Sequence, residues 1–372
     1  MARPRDLFTA AYWADLVTEA ERGLLDFVTI EDGLGLQPSH FLDPDERTDQ
    51  VRGRLDAVLV ASRVAPLTRH IGLVPTAVST HTEPFHISKA IATLDYVSTG
   101  RAGLRVQLTA RPNEAAHFGR RTIAAYDGPA TRDVVSDLFD ETADYVEVVR
   151  RLWDSWEDDA EIRDTATGRF IDRDKLHHID FEGRHFSVKG PSITPRPPQG
   201  QPIVSALAHY TVPYRLVARA ADIGYITPHD TDQARAIVEE IRAEQTAAGR
   251  ADETLHVFGD LLVFLDDDPG AATARRERLD ELAGHPYTSD ALTFAGTPAQ
   301  LADLLQELQS SGLTGFRLRP AVVGHDLPAI TRGLVPELQR RGAFRSAYEA
   351  DTLRGLLGLA RPASRYAVAT PA

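Results

Sequence analysis

The feature that most limits what this chain can fold into is an alternation. From Ala10 to Pro320, stretches with helical spacing take turns with short β-branched or apolar runs. "AAYWADLVTEAERG" has its apolar residues at helical spacing and stops at Gly23, and "DFVTIEDG" follows as a short strand ending in two carboxylates. "RLDAVLVASRVA" is helical and leads into the strand "HIGLVPTAV". "PFHISKAIATLDYVS" opens on Pro84, a natural first helical residue, and "AGLRVQL" is the next strand. "VVSDLFDETADYVEVVRRLWDSW" is a long amphipathic helix. Further on, "QPIVSAL", "IGYIT", "TLHVFGDLLVFL" and "TGFRLRP" are strands separated by helical patterns, one of them opened by Thr297 and Pro298.

Strands alternating with helices predict parallel βαβ units. Seven strand candidates stand in the sequence. A (β/α)₈ barrel needs eight. The deficit is placed at the front, because the chain opens almost directly on a helix: the first strand is absent or truncated, or "RDLFTA" is its remnant. An open doubly wound sheet is the rival, and it would show a glycine-rich phosphate turn. "EDGLGLQPSH" lacks the third glycine of that fingerprint, which argues against a tightly bound nicotinamide cofactor. No repeat or low-complexity linker interrupts the chain, so residues 1–372 are expected to form one domain.

One passage departs from the alternation. "HHIDFEGRHFSVKGPSITPRPPQGQPIV", His177 to Val204, holds two short strand-like runs, a turn at Glu182-Gly183 and rigid prolines from Pro191 to Pro202. It belongs to an insertion of about residues 155–201. No stretch approaches the roughly 18 apolar residues of a membrane span. The first residues lack a secretory signal pattern, so a cytoplasmic protein is expected. A formal net charge of −13 disfavours nucleic acid. Zero cysteines remove disulfides, thiolate metal sites and cysteine nucleophiles.

In a barrel the site lies at the C-terminal ends of the strands. That rule selects Glu31 and Asp32, the run Thr76 to Thr82, Gln107 and Thr109, Ala206 to Tyr210, Thr227 to Asp230, and Arg317 with Arg319. Asp32 suits the N–H groups of a heterocycle, and equally suits capping of a nearby backbone N–H. The hydroxyls of "TAVSTHTEP" suit an uncharged ring system, and β-branched strand filling is the plainer alternative. His177 and His178 are adjacent and so point to opposite faces. No HExxH, nucleophile elbow or Walker loop is present, and metal binding is not expected.

These stretches, taken in order, resemble the bacterial-luciferase-like flavin monooxygenases, in the branch of nitrilotriacetate, pristinamycin IIA synthase and dibenzothiophene sulfone monooxygenases. "AERGLLDFVTIEDGLGL", the passage from "RHIGLVPTAV" to "NEAAHFG", the central hairpin and "GTPAQLADLLQEL" carry the resemblance, which covers nearly the whole chain. It implies a (β/α)₈ barrel with the insertion over its C-terminal face, either as a lid that keeps water from the flavin or as a packing or dimer-contact element. It further implies reduced FMN supplied by a separate flavin reductase, molecular oxygen, a small organic substrate and a homodimer. Asp32 matches the family's flavin-contacting aspartate, Ser79 its hydroxyl-rich flavin segment, and Thr109 the hydroxyl closing its next strand.

Other positions depart from the family. Its helix tyrosine aligns with Phe139, and the polar residue one turn earlier aligns with Val135. Its Gly-Ser-Ser phosphate turn reads Ala208-His209-Tyr210 here, so His209 and Tyr210 stand where the FMN phosphate would be held. Two alternatives therefore stay open. One is a luciferase-like scaffold that no longer binds FMN. The other is an enzyme using deazaflavin F420 or no cofactor, with "AHY" and "PHD" as reacting residues. No catalytic residue is assigned.

Overall fold

The computed structural model describes residues 3–37, 46–124 and 129–367, leaving aside the side chains of 129–131. The end of "EDGLGLQPSH" lies outside them. Its strands are β1 Phe27–Ile30, β2 Gly72–Val78, β3 Gly103–Gln107, β4 Glu161–Asp164, β5 Arg169–Ile171, β6 Phe181–Glu182, β7 Ser187–Val188, β8 Ile203–Leu207, β9 Ile223–Ile226, β10 His256–Leu265, β11 Leu292–Gly296 and β12 Gly315–Pro320. The helices are α1 Ala10–Arg22, α2 Ala57–Val64, α3 Pro84–Val97, α4 Pro112–Ala116, α5 Pro129–Asp154, α6 Thr211–Ala220, α7 Thr231–Ala247, α8 Pro269–Ala283, α9 Pro298–Gln309, α10 Val323–Ala329, α11 Val335–Arg340 and α12 Leu353–Leu356. The chain divides into two compact units, Met1–Val28 with Ser205–Glu349, and Thr29–Val204 with Ala350–Ala372.

In the first unit β10 is the axis. Its residues His256–Gly259 pair with β9, Phe258–Val263 with β12 and Leu261–Leu265 with β11, all in parallel. Parallel strands covered on both faces read as continuous apolar runs, and β10 is buried from Val257 to Leu265. Gly224 of β9 shows how closely α6 approaches: a Cβ there would lie 2.5 Å from Val217 Cγ1. Asp230, Asp268 and Thr297 cap α7, α8 and α9, the last with Gln300 as a capping box.

The alternation is as expected except in two places. The predicted remnant strand "RDLFTA" is not one: Pro4–Asp6 form a 3₁₀ turn, and Thr9 then caps α1 through Tyr12 N at 3.3 Å. The strand missing from the sequence count was instead β11, "LTFAG". It is short, mostly half-buried and runs directly into Thr297, the cap of α9.

In the second unit β2, all of whose residues are buried, pairs with β3 in parallel. The insertion is two small antiparallel hairpins, β4–β5 and β6–β7, the second turning where Gly183 N donates to Phe186 O at 3.0 Å. Ile179 and Phe181 pack on Val148 and Leu152 of α5. Trp156 Nε1 donates to Ser192 O at 2.8 Å. Buried Arg196 holds Asp154 at 2.9 Å, Asp158 at 3.0 Å and Pro362 O at 2.8 Å. The insertion is thus packed onto α5 and tied to the C-terminal segment.

Candidate functional site

Two polar groupings lie at strand ends, one in each unit. In the second unit the loop after β2 runs Ser79-Thr80-His81-Thr82. Ser79 N donates to Gln107 O at 2.8 Å, and Ser79 Oγ lies 2.8 Å from Thr142 Oγ1 of α5. Thr80 Oγ1 accepts from Thr109 N at 2.9 Å, and Thr109 Oγ1 accepts from Arg111 N at 3.3 Å. Thr82 Oγ1 donates to Val78 O at 2.8 Å and lies 2.9 Å from the hydroxyl of buried Tyr145. His81 is 5% exposed and stacks on Phe118 with centroids 5.0 Å apart. Burial, aided by the Arg121 guanidinium, pulls its pKa below the usual histidine value.

Asp32 and Glu31 part company, as neighbours at the end of a strand should. Asp32 Oδ1 accepts from Gly33 N at 2.7 Å and Oδ2 from Ala57 N, the first residue of α2, at 2.9 Å. Burial raises its pKa, and the two backbone N–H groups oppose that rise. Glu31 instead meets Arg105 Nη1 at 2.8 Å, which also donates to Thr76 Oγ1 at 3.0 Å.

In the first unit, His209 Nδ1 lies 3.2 Å from Thr227 Oγ1, and its Nε2 lies 3.7 Å from Asp290 Oδ2. Arg319 donates to Asp290 Oδ1 at 2.9 Å. Burial lowers the His209 pKa, while Asp290 pulls the other way. Tyr210 is half exposed and precedes α6. Deeper, Arg317 grips fully buried Asp260 through two bonds of 2.5 Å and lies 4.7 Å over the Tyr225 ring. Asp230 of "TPHD" is the α7 cap, accepting from Gln233 N at 2.7 Å.

Residues 2–291 match the sequence model of the luciferase-like monooxygenases. The chain belongs to that family. Component A of nitrilotriacetate monooxygenase from Aminobacter aminovorans is 29% identical to it, over 97% of this chain and 92% of that protein. Dibenzothiophene-sulfone monooxygenase from Rhodococcus erythropolis is 26% identical, over 96% and 91%. A solved riboflavin lyase, crystallised with modified FMN and riboflavin, superposes with a TM-score of 0.84 at 25% identity, over 98% of this chain and 92% of that one. The fold of this luciferase-like monooxygenase is therefore the family's (β/α)₈ type, and the open-sheet alternative falls.

Within this member of the family, Ser79 and Thr109 are drawn together through Thr80 and the Gln107 carbonyl. Asp32 does the capping that its loop position allowed. His209 and Tyr210 lie in the other unit. Thr142 and Tyr145, which complete the hydroxyl grouping, escaped a reading based on strand ends because they lie on a helix. The Arg105–Glu31 and Arg317–Asp260 pairs had a signal: "GLRVQL", "FGDLL" and "GFRLR" each place a charge inside a strand, where burial demands a partner.

Proposed function

We propose that this chain is the oxygenase of a two-component system, taking reduced FMN from a separate flavin reductase and oxygenating a small organic substrate. The family match over residues 2–291 carries this reading. Bound reduced FMN would supply the oxygen-activating chemistry, while the protein binds, orients and excludes water.

The ring-side residues suit a flavin. Asp32 is held by two backbone N–H groups and retains carboxylate lone pairs for a ring N–H. The Ser79 proton is engaged within the protein, since Thr142 donates its own to Leu138 O at 2.8 Å; Ser79 still has acceptor capacity. Thr80 keeps a proton to donate, and Thr109 is fixed by its hydrogen bonds. At the phosphate end the donors differ from the family's serines. Backbone N–H groups of Thr211 and Val212 open α6, Pro213 contributes none, and His209 and Tyr210 stand beside them. We assign these two side chains to the phosphate end. A homodimer and a cytoplasmic location complete the proposal; no helix among the described residues is long and apolar enough to cross a membrane.

Titration of the purified protein with oxidised and then dithionite-reduced FMN, followed by flavin fluorescence and absorbance, tests this. Micromolar binding of the reduced form is expected. Binding of F420 with neither form of FMN would replace this reading by the cofactor-switched enzyme, and no flavin binding at all by the scaffold.

A further inference from the structure

The loop after β2 has one feature that the family comparison does not explain. Most of its side-chain hydrogen-bonding capacity is used inside the protein. The Ser79 proton goes to Thr142 Oγ1 or to the Gln107 carbonyl. Thr82 donates to Val78 O and accepts from Tyr145. Thr80 receives Thr109 N. His81 is different. Its Nε2 is buried and has no hydrogen-bond partner among the described residues, although its ring is pinned by the stack on Phe118.

The charges around His81 do not use that nitrogen either. Buried Glu114 pairs with Arg111 at 3.1 Å, and buried Glu141 takes both Arg121 nitrogens at 2.7 and 2.5 Å. A buried imidazole nitrogen left unpaired loses its hydration without gaining a hydrogen bond in return. Such a group in a fixed ring, at the end of a barrel strand and two residues from Ser79, is what a polar ligand would satisfy. A neutral imidazole offers a donor or an acceptor at Nε2, and an isoalloxazine ring edge presents both kinds of partner.

We infer that His81 is a flavin-binding residue of this protein, its Nε2 hydrogen-bonding the isoalloxazine ring edge. The inference rests on the FMN reading above. Phe118 holds the imidazole plane, and Thr80, bound to Thr109 N, holds the loop.

The test compares wild type, His81→Phe and His81→Gln, the last keeping a hydrogen-bonding group near the position of Nε2. Dissociation constants are measured for oxidised FMN and, anaerobically, for reduced FMN, together with the bound-flavin absorption spectrum. One lost hydrogen bond corresponds to about a tenfold weaker Kd. His81→Phe should show that loss and a shifted flavin spectrum, and His81→Gln should recover most of both. In wild type with ¹⁵N-labelled histidine, the Nε2 resonance absent from the His81→Gln spectrum should move when FMN is added, whatever the stability of the variants. Wild-type affinity and spectrum in His81→Phe, or an Nε2 resonance indifferent to FMN, would overturn the inference and leave the FMN reading standing. Equal loss in both variants with that resonance unmoved would assign His81 to structure alone. If wild type binds neither form of FMN, both proposals fall.

Discussion

Single residues here are decided by what their polar atoms meet. Arg101 is 2% exposed and is met by a ring of backbone carbonyls. Its guanidinium donates to the carbonyls of Ser98, Ile71, Ala65 and Thr68 and to the Thr68 hydroxyl, tying the loop before β2 to the start of β3. Asp95 has the opposite problem. It accepts from Ala102 N at 3.1 Å and Gln199 N at 3.0 Å, yet burial still pushes its pKa up to about 6. With the folded value above the unfolded one near 3.8, Asp95 binds its proton more tightly in the folded state. Stability from this group is then greatest below the unfolded value and declines as pH rises through the folded one. The stability difference between wild type and Asp95→Asn should therefore drift in favour of the variant from about pH 4 to 6, by on the order of 3 kcal/mol, and level off above. Urea titrations of both proteins across that range measure it; a flat difference would refute the assignment. A second contrast concerns the flavin. Asp32→Ala should weaken FMN binding more than Glu31→Ala, because Asp32 turns to α2 and Glu31 to Arg105. Equal effects would misplace the ring-side residues.

Elements are joined by a few buried polar anchors as much as by apolar faces. The insertion has two-residue strands in β6 and β7, too short for independent stability. It holds its place through Phe181 on α5 and Arg196 on Asp154, and Trp156 on the Ser192 carbonyl braces it internally. Removing Arg196 takes from buried Asp154 its 2.9 Å partner and leaves it Arg365 Nε at 3.4 Å. Breaking a buried pair from one side typically costs about 3–5 kcal/mol. Arg196→Met should lose stability on that scale and become sensitive to limited proteolysis within 155–201, while the segment 223–320 stays protected. Uniform cleavage along the chain would show that Arg196 does not act locally. The missed strand β11 belongs at this scale too. Its parallel pairing with Leu261–Leu265 is what fixes its place in the sheet.

For the whole molecule, charge and cofactor bear on stability together. A net charge of −13 spread along the chain disfavours polyanions as partners. A ligand that binds only the folded state stabilises it, by about 2.7 kcal/mol at a hundredfold excess over Kd. FMN at that excess should raise the melting temperature by several degrees, and NADH at the same concentration should not. A rise with NADH alone would contradict both the missing dinucleotide fingerprint and the FMN proposal.

The sequence by itself determined the class of fold, seven of the eight strands of the main sheet and the longer helices between them. Those depend on local periodicity, caps and apolar runs, which a chain carries residue by residue. It also limited the candidate groups to strand ends, where Asp32, Ser79, Thr109, His209 and Tyr210 were found. Only tertiary structure decided what those groups do with their hydrogen bonds. Ser79 meets Thr142 across 63 residues, Arg105 meets Glu31 across 74, and Arg317 meets Asp260 across 57. Whether a buried polar atom is satisfied depends on partners that far away, so no local pattern could separate the engaged hydroxyl of Ser79 from the unpaired nitrogen of His81.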